Sequence, residues 1–173
     1  MKKWTYLLLM LLGSVSILPS CSDDDDDDMI QSQVFVNEAA SSNMFEIQSS
    51  MLARDRSSNQ SIDDFAEHMI TDHTAASLEL AATAKSNNLT VPTAMATKHQ
   101  EMYNKLNGIT DIAQFEKEYA SMMEDSHEEA VELFERGAGH ADLEAIRVFA
   151  ASKVDKLREH LTGAQALDKM FND

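Results

Sequence analysis

The sequence predicts an all-α domain, an antiparallel four-helix bundle with one short connector helix. Three observations lead there. Apolar residues recur at a spacing of three and four over long stretches. Alanine, glutamate, leucine and methionine, all good helix formers, dominate the body, which has five glycines and two prolines in the whole chain. Alternating apolar and polar runs that would mark strands are scarce.

In chain order, the first helix is expected from about Gln33 to Arg54, with Val36, Ala40, Met44, Ile47 and Met51 on its apolar face. The polar stretch Asp55 to Gln60 interrupts the pattern. Ser61 is placed to cap the second helix, with Asp63 and Asp64 in the first turn where the dipole favours acid. That helix carries Phe65, Met69, His73, Ala76, Leu80 and Ala84, and Asn87-Asn88 closes it. Val91-Pro92-Thr93 opens a shorter helix, about Thr93 to Leu106, which ends at Asn107-Gly108. Asp111 caps a long helix carrying Phe115, Tyr119, Met123, His127, Ala130 and Phe134, expected to stop at Gly137 to Gly139. The last helix carries Ile146, Phe149, Lys153, Leu157, His160, Ala164 and Leu167. Four long helices with short links make an antiparallel bundle, and the connector is expected across one end.

The N-terminal segment reads differently. Lys2 and Lys3 precede an apolar run, Tyr6 to Leu12 and Val15 to Leu18, of about a dozen residues, too short to span a bilayer. The run ends in Leu18-Pro19-Ser20-Cys21, which resembles a lipobox, with a small residue before a cysteine that receives diacylglycerol after cleavage. Cys21 is the sole cysteine, so no internal disulfide forms. Its acyl chains would anchor the mature chain to the membrane, since stable anchoring takes more than one chain. Asp23 to Asp28 follow as six consecutive carboxylates, a solvated spacer that resembles the acidic export signal of surface lipoproteins in Bacteroidetes-type bacteria. The expected organisation is a signal peptide with lipobox over 1–20, a lipidated cysteine and acidic linker over 21–32, the helical bundle over 33–168 and a tail over 169–173. The expected location is the cell envelope, at the outer membrane, with the acidic tract pointing to surface exposure.

Net charge excludes some functions. The chain carries −16; removing residues 1–20 takes away Lys2 and Lys3 and leaves −18, six of those charges in the aspartate tract. An acidic body argues against nucleic acid, which needs a basic face. It argues equally against docking on anionic lipid through charge.

Three of the six histidines lie in apolar stripes, one per long helix: His73, His127 and His160. Acid is near each in sequence, as Asp72, Glu124 and Glu159, and Glu46 sits on the first helix between Phe45 and Ile47. Glu124-Asp125-Ser126-His127 is a Glu-x-x-His, the spacing that carboxylate-bridged di-iron bundles use. A full di-iron set needs a second such pair and two more glutamates. Here position 70 is isoleucine and position 157 is leucine, so that pattern is incomplete. Two roles stand. In the first, the histidines are structural, satisfied by carboxylates across the bundle. In the second, Glu46, His73, Glu124, His127 and His160 ligate Fe, Zn, Cu or Mn, the ions that imidazole with carboxylate suits. The methionines read as core filler. His68, His99 and His140 fall off the stripes and read as surface residues. No catalytic nucleophile arrangement, phosphate loop or dinucleotide fingerprint occurs, and hydrolysis by the acid–histidine cluster would need an open cleft.

Several ordered segments resemble the bacterial domain-of-unknown-function 4142 family. Phe35 to Ala40 and Phe45-Glu46-Ile47 are similar to its start, and Phe65 to Thr74 to its "FA..M..DHT" segment. Phe115 to Tyr119, His127 to Phe134, and Leu157 to Leu161 with Ala164 to Leu167 follow in its order. The resemblance covers about residues 33 to 168. It implies a ferritin-like bundle on an exported protein and implies little about activity. Val154-Asp155-Lys156 stands where the family often has a proline. The function expected from the sequence is a non-enzymatic binding or stress-related envelope module, with a metal-binding bundle as the alternative.

Overall fold

The computed structural model describes residues 29–172, so the lipobox, Cys21 and the aspartate tract lie outside the described residues. Five helices follow one another: α1 (Ser32–Arg56), α2 (Gln60–Ser86), α3 (Thr97–Gly108), α4 (Ile112–His140) and α5 (Glu144–Asn172). No described helix is long and apolar enough to cross a membrane.

The caps explain where the helices begin. Asn59, not Ser61, caps α2: its side chain accepts from the Ser61 amide at 2.9 Å. Asp111 caps α4 as its position predicts, accepting from the Gln114 amide at 2.8 Å. α2 ends where Asn88 takes a left-handed conformation at φ 58°. α5 is continuous through 154–156, and it runs on to Asn172, past the start of the expected tail.

α1 and α2 form one antiparallel hairpin and α4 and α5 the other. α1 also packs against α4, and α2 against α5. The link between the hairpins is long and contains α3. It starts beside the N-terminal end of α1, where the Thr90 amide donates to Gln33 at 2.9 Å. It finishes beside the C-terminal end, where Arg56 donates to the carbonyls of Ile109 and Asn107, each at 3.0 Å. α3 therefore runs along the flank of α1 and α4 from one end of the bundle to the other, and does not close an end. The helix directions are up, down, down, up, with the crossover in the middle: a ferritin-like bundle.

The core divides in two along the bundle axis. One cluster gathers Phe35, Leu80, Phe134, Ile146, Phe149 and Leu157; the other gathers Phe45, Ile62, Leu106, Phe115, Tyr119 and Leu167. The apolar stripe read for α4 is buried at every position, from Phe115 to Phe134. The stripe read for α1 is not. Val36 and Ala40 are buried, but Met51 is 57% exposed, and the buried face also takes in Phe35, Ala39, Ser42, Asn43, Glu46, Ser49, Ser50 and Ala53. α1 touches three helices, and small side chains let them approach. Its hydroxyls find partners: Ser49 donates to the Phe45 carbonyl at 2.7 Å, and Ser50 pairs with the Tyr119 hydroxyl at 2.9 Å.

The chain entering α1 is stitched to the α4–α5 turn. Ile30 donates to the His140 carbonyl at 3.1 Å, and the Asp142 amide donates to the Ile30 carbonyl at 3.2 Å. The Ser32 amide donates to Asp142 Oδ1 at 2.8 Å, and the Leu143 amide donates to Ser32 Oγ at 3.1 Å.

Gly137 does not end α4, which continues to His140. It makes room for Phe35. A Cβ at 137 would lie 2.5 Å and 2.7 Å from two ring carbons of Phe35 and 3.1 Å from Ala150 Cβ. Phe35 is fully buried, with its ring edge-on to Phe134 at 5.0 Å, so it cannot step aside. Alanine would gain about 1 kcal/mol in helix propensity. Overpacking costs about 1–3 kcal/mol and is expected to win. Gly137→Ala should lower the melting temperature by a few degrees, read by circular dichroism; an unchanged or raised value would show that Phe35 can move.

Candidate metal centre

Between the two apolar clusters lies a polar layer built by all four long helices. α1 contributes Asn43 and Glu46, α2 His73, α4 Ser126 and His127, and α5 His160. Every one of these side chains is buried; Glu46 and His127 have no exposure at all.

The three imidazoles face one another. Their ring centroids are 5.2–5.6 Å apart. One ligand nitrogen from each lies within 4.8 Å of one from the other two. Each ring commits one nitrogen outward and turns the other inward. His127 Nδ1 donates to the Met123 carbonyl at 2.7 Å. His160 Nε2 donates to Asp72 Oδ2 at 2.9 Å. His73 Nδ1 donates to Asn43 Oδ1 at 2.9 Å and lies 2.8 Å from Glu46 Oε2 in an ion-pair contact. The remaining nitrogens, His73 Nε2, His127 Nε2 and His160 Nδ1, are buried and have no hydrogen-bond partner among the described residues. A ligating histidine is typically held this way, its other nitrogen donating to a carboxylate or carbonyl.

Glu46 balances the layer. Its Oε1 accepts from Ser126 Oγ at 2.8 Å and lies 3.9 Å from His127 Nε2. Burial alone would raise its pKa, but the neighbouring His73 and His127 rings and its hydrogen bonds prevail and hold it at about 2. His73 is opposed by burial too, yet Glu46 prevails and raises its pKa. Burial lowers His127, and it pushes His160 down to about 4 against the pull of Asp72. At neutral pH Glu46 is therefore a carboxylate, and His127 and His160 are neutral with a lone pair to give.

Four of the five residues singled out as candidate ligands thus meet: Glu46, His73, His127 and His160. Glu124 does not join them. It is half-buried and faces Asp168 of α5, and burial with that neighbouring acid raises its pKa. Three residues along a helix turn a side chain about 60° aside, here enough to move Glu124 from the bundle axis to the α4–α5 seam. The histidines' acidic partners are also not the sequence neighbours. Asp72 serves His160 across the bundle, and Glu159 pairs with Lys156 on the surface. Adjacent residues on a helix point about 100° apart, so a flanking acid cannot reach the same ring. His99 is no surface residue either. It is half-buried, stacked on Phe45 at 5.8 Å, with Nδ1 2.7 Å from Ser41 Oγ. His68 and His140 are exposed, as read; Met69, Met122 and Met123 are core residues, whereas Met29, Met51 and Met170 are exposed and fill no core. Apolar periodicity does not single out Asn43 or Ser126; the signal for Asn43 is its i, i+3 pairing with Glu46 on the buried face of α1.

A cavity of about 300 Å³ opens between α2 and α5 and reaches His73 and His160, with Asn43 and Asp72 also on its wall. Lys153 and Lys156 line its outer part. His127 is not among its lining residues.

No curated protein matches the chain in sequence. Among solved structures it is similar to "CopM in the Cu(II)-bound form", at 14% identity and a TM-score of 0.66. The alignment covers 82% of this chain and 97% of CopM, and the likeness is one of fold. The profile of the domain of unknown function DUF4142 matches residues 20–167, which take in the four helices that build the polar layer, and the chain belongs to that family.

Proposed function

We propose that this domain binds a single transition-metal ion through His73, His127 and His160. The observation that carries the proposal is the pattern of the six ring nitrogens: three are committed outward, and three are buried, unpartnered and turned toward one centre. A purely structural role leaves that pattern unexplained, because each orphaned buried nitrogen costs about 1–3 kcal/mol. Three imidazoles suit Cu(II) or Zn(II), and copper binds such sites more tightly. Metal–nitrogen bonds of about 2.0–2.1 Å would draw the rings together by roughly an ångström. The likeness to a protein solved with Cu(II) supports the choice of ion, though only through the shared fold. Glu46 supplies negative charge beside the ion and orients His73 through Nδ1, a role whose loss in metal sites lowers affinity about 10–100-fold. The domain needs no further catalytic group for this, and the reading is of a binding protein in the cell envelope.

The same segment that matches the family profile begins at Ser20. We infer that Cys21 is lipidated and tethers the bundle to a membrane, supported by the lipobox-like Leu18-Pro19-Ser20-Cys21 and the aspartate tract after it. Cys21→Ser should move the protein from the detergent-extracted membrane fraction to the soluble fraction; continued membrane association would sink the idea.

Metal content decides the main proposal. The untagged chain, supplemented with copper or zinc and measured by elemental mass spectrometry, should hold about one ion. His127→Leu should abolish uptake and leave the metal-free melting temperature equal or higher, since it removes an orphaned nitrogen of a ring bonded only to its own helix. A structural histidine would behave in the opposite way, with no metal to lose and a lower melting temperature.

Acid titration provides a further check. In the unfolded chain a histidine titrates near 6.5. His160, at about 4, and His127, lowered, bind fewer protons folded than unfolded, so their contribution is present above pH 6.5 and is lost on acidification. His73 is raised, so its contribution is already full below pH 6.5 and does not offset that loss. The metal-free melting temperature should fall between pH 6.5 and 4, and His160→Phe should flatten the fall. A flat wild-type profile would refute neutral, buried imidazoles.

A further inference from the structure

We infer that the cavity between α2 and α5 is a binding site for a small monoanion, which completes the coordination of the ion held by the three histidines and accepts a hydrogen bond from Asn43. The inference rests on the metal-binding reading above and extends it from a closed site to one with an exchangeable ligand.

Three observations converge. The first is donor count. The described residues bring three imidazole nitrogens together, and sites with three protein ligands keep a fourth position for water or substrate. Glu46 lies to one side of it: Oε1 accepts from Ser126 and stays 3.9 Å from His127 Nε2, and Oε2, which has no hydrogen-bond partner among the described residues, sits 2.8 Å from the outer nitrogen of His73, Nδ1. The second is access. The cavity wall includes His73 and His160, while His127 and Glu46 are sealed behind them with no exposure. A fourth ligand therefore arrives from the α2–α5 side.

The third is a spare donor. Asn43 is 4% exposed and lines the cavity. Its Oδ1 accepts from His73, and its Nδ2 is buried with no partner among the described residues. That amide is fixed by the His73 bond and presents N–H groups beside the centre, where they can be satisfied only by an acceptor. Charge selects the kind of acceptor. A divalent ion with three neutral imidazoles and one fully buried carboxylate, Glu46, leaves one positive charge in the layer that is faced only by Asp72, which is 36% exposed on the cavity wall and screened by water. Burying an unpaired charge is costly, and a single monoanion cancels it. Lys153 and Lys156 at the outer part of the cavity are paired with Glu79 and Glu159, so the rim itself is balanced and the pull on an anion comes from the centre.

The test uses the full chain loaded with Cu(II) and titrated with sodium azide, followed by visible absorption and electron paramagnetic resonance. The expected result is one saturating charge-transfer band with a matching change in the copper resonance, at one azide per copper. Asn43→Ala also frees His73 Nδ1, so it is loaded until it holds one copper per chain; azide should then weaken by about tenfold or more, the effect of losing one hydrogen bond to a charged group. Lys156→Gln, at a side chain on the rim and far from the core packing, should weaken azide by a few-fold and serves if Asn43→Ala disturbs the fold. Copper bound one to one with spectra that azide does not move would overturn the inference and leave the metal reading intact, with Glu46 closing the sphere. Azide affinity unchanged in both variants would overturn the assignment of its seat. A chain that takes up no copper overturns the site and this inference together.

Discussion

A carboxylate with no exposure to water, in the middle of a helical bundle, is the constraint on which the rest depends. Glu46 stays charged only because two imidazoles and a serine hydroxyl surround it. Moving such a group into an apolar core unaided would be prohibitive. The charge in turn raises the pKa of His73 and orients that ring, while burial keeps His127 and His160 neutral. Removing His73 or Ser126 would strand Glu46, whereas His127 is bonded only within its own helix.

The topology is what allows a unit of this kind. In an up-down-down-up bundle each long helix meets two neighbours, and midpoints that are remote in sequence share one level. Glu46 and Ser126 are 80 residues apart, and His160 and Asp72 are 88 apart. Apolar clusters above and below hold the backbone spacing there, with the close contact of Phe35 and Gly137 on one side and Phe45, Phe115 and Tyr119 on the other. The flanking α3 adds to this, since Ser41 binds both the Ala96 amide at 2.7 Å and His99, and His99 stacks on the residue preceding Glu46.

Helical periodicity made much of this readable. The stripes of α2, α4 and α5 carry large apolar residues, and a histidine interrupting such a stripe is buried by the same rule that buries its neighbours. In α1 the periodicity finds Val36 and Ala40, but much of the rest of the inward face is serine, asparagine and alanine, which carry no hydrophobic signal; that face is buried because three helices surround it. The acids beside the histidines misled for a related reason. Pairing in a bundle runs across helices, and sequence adjacency places two side chains on different faces. Thus the pairing of Asp72 with His160 and the places of Asn43 and Ser126 follow from the packing, which also sets Glu124 apart from the histidines. The glycines of α4 looked like a stop signal, whereas Gly137 answers to the ring of Phe35.

The stitch between Ile30, Ser32 and the α4–α5 turn has a mechanical consequence. Any load carried along the first 28 residues reaches the bundle at that seam. It is resisted by several hydrogen bonds to a different helical hairpin before it can act on the first turn of α1. A pull at Met29 is therefore shared by both hairpins, through the bonds of Ile30 and Ser32, before it can peel the N-terminal helix, with its Glu46, away from the histidines.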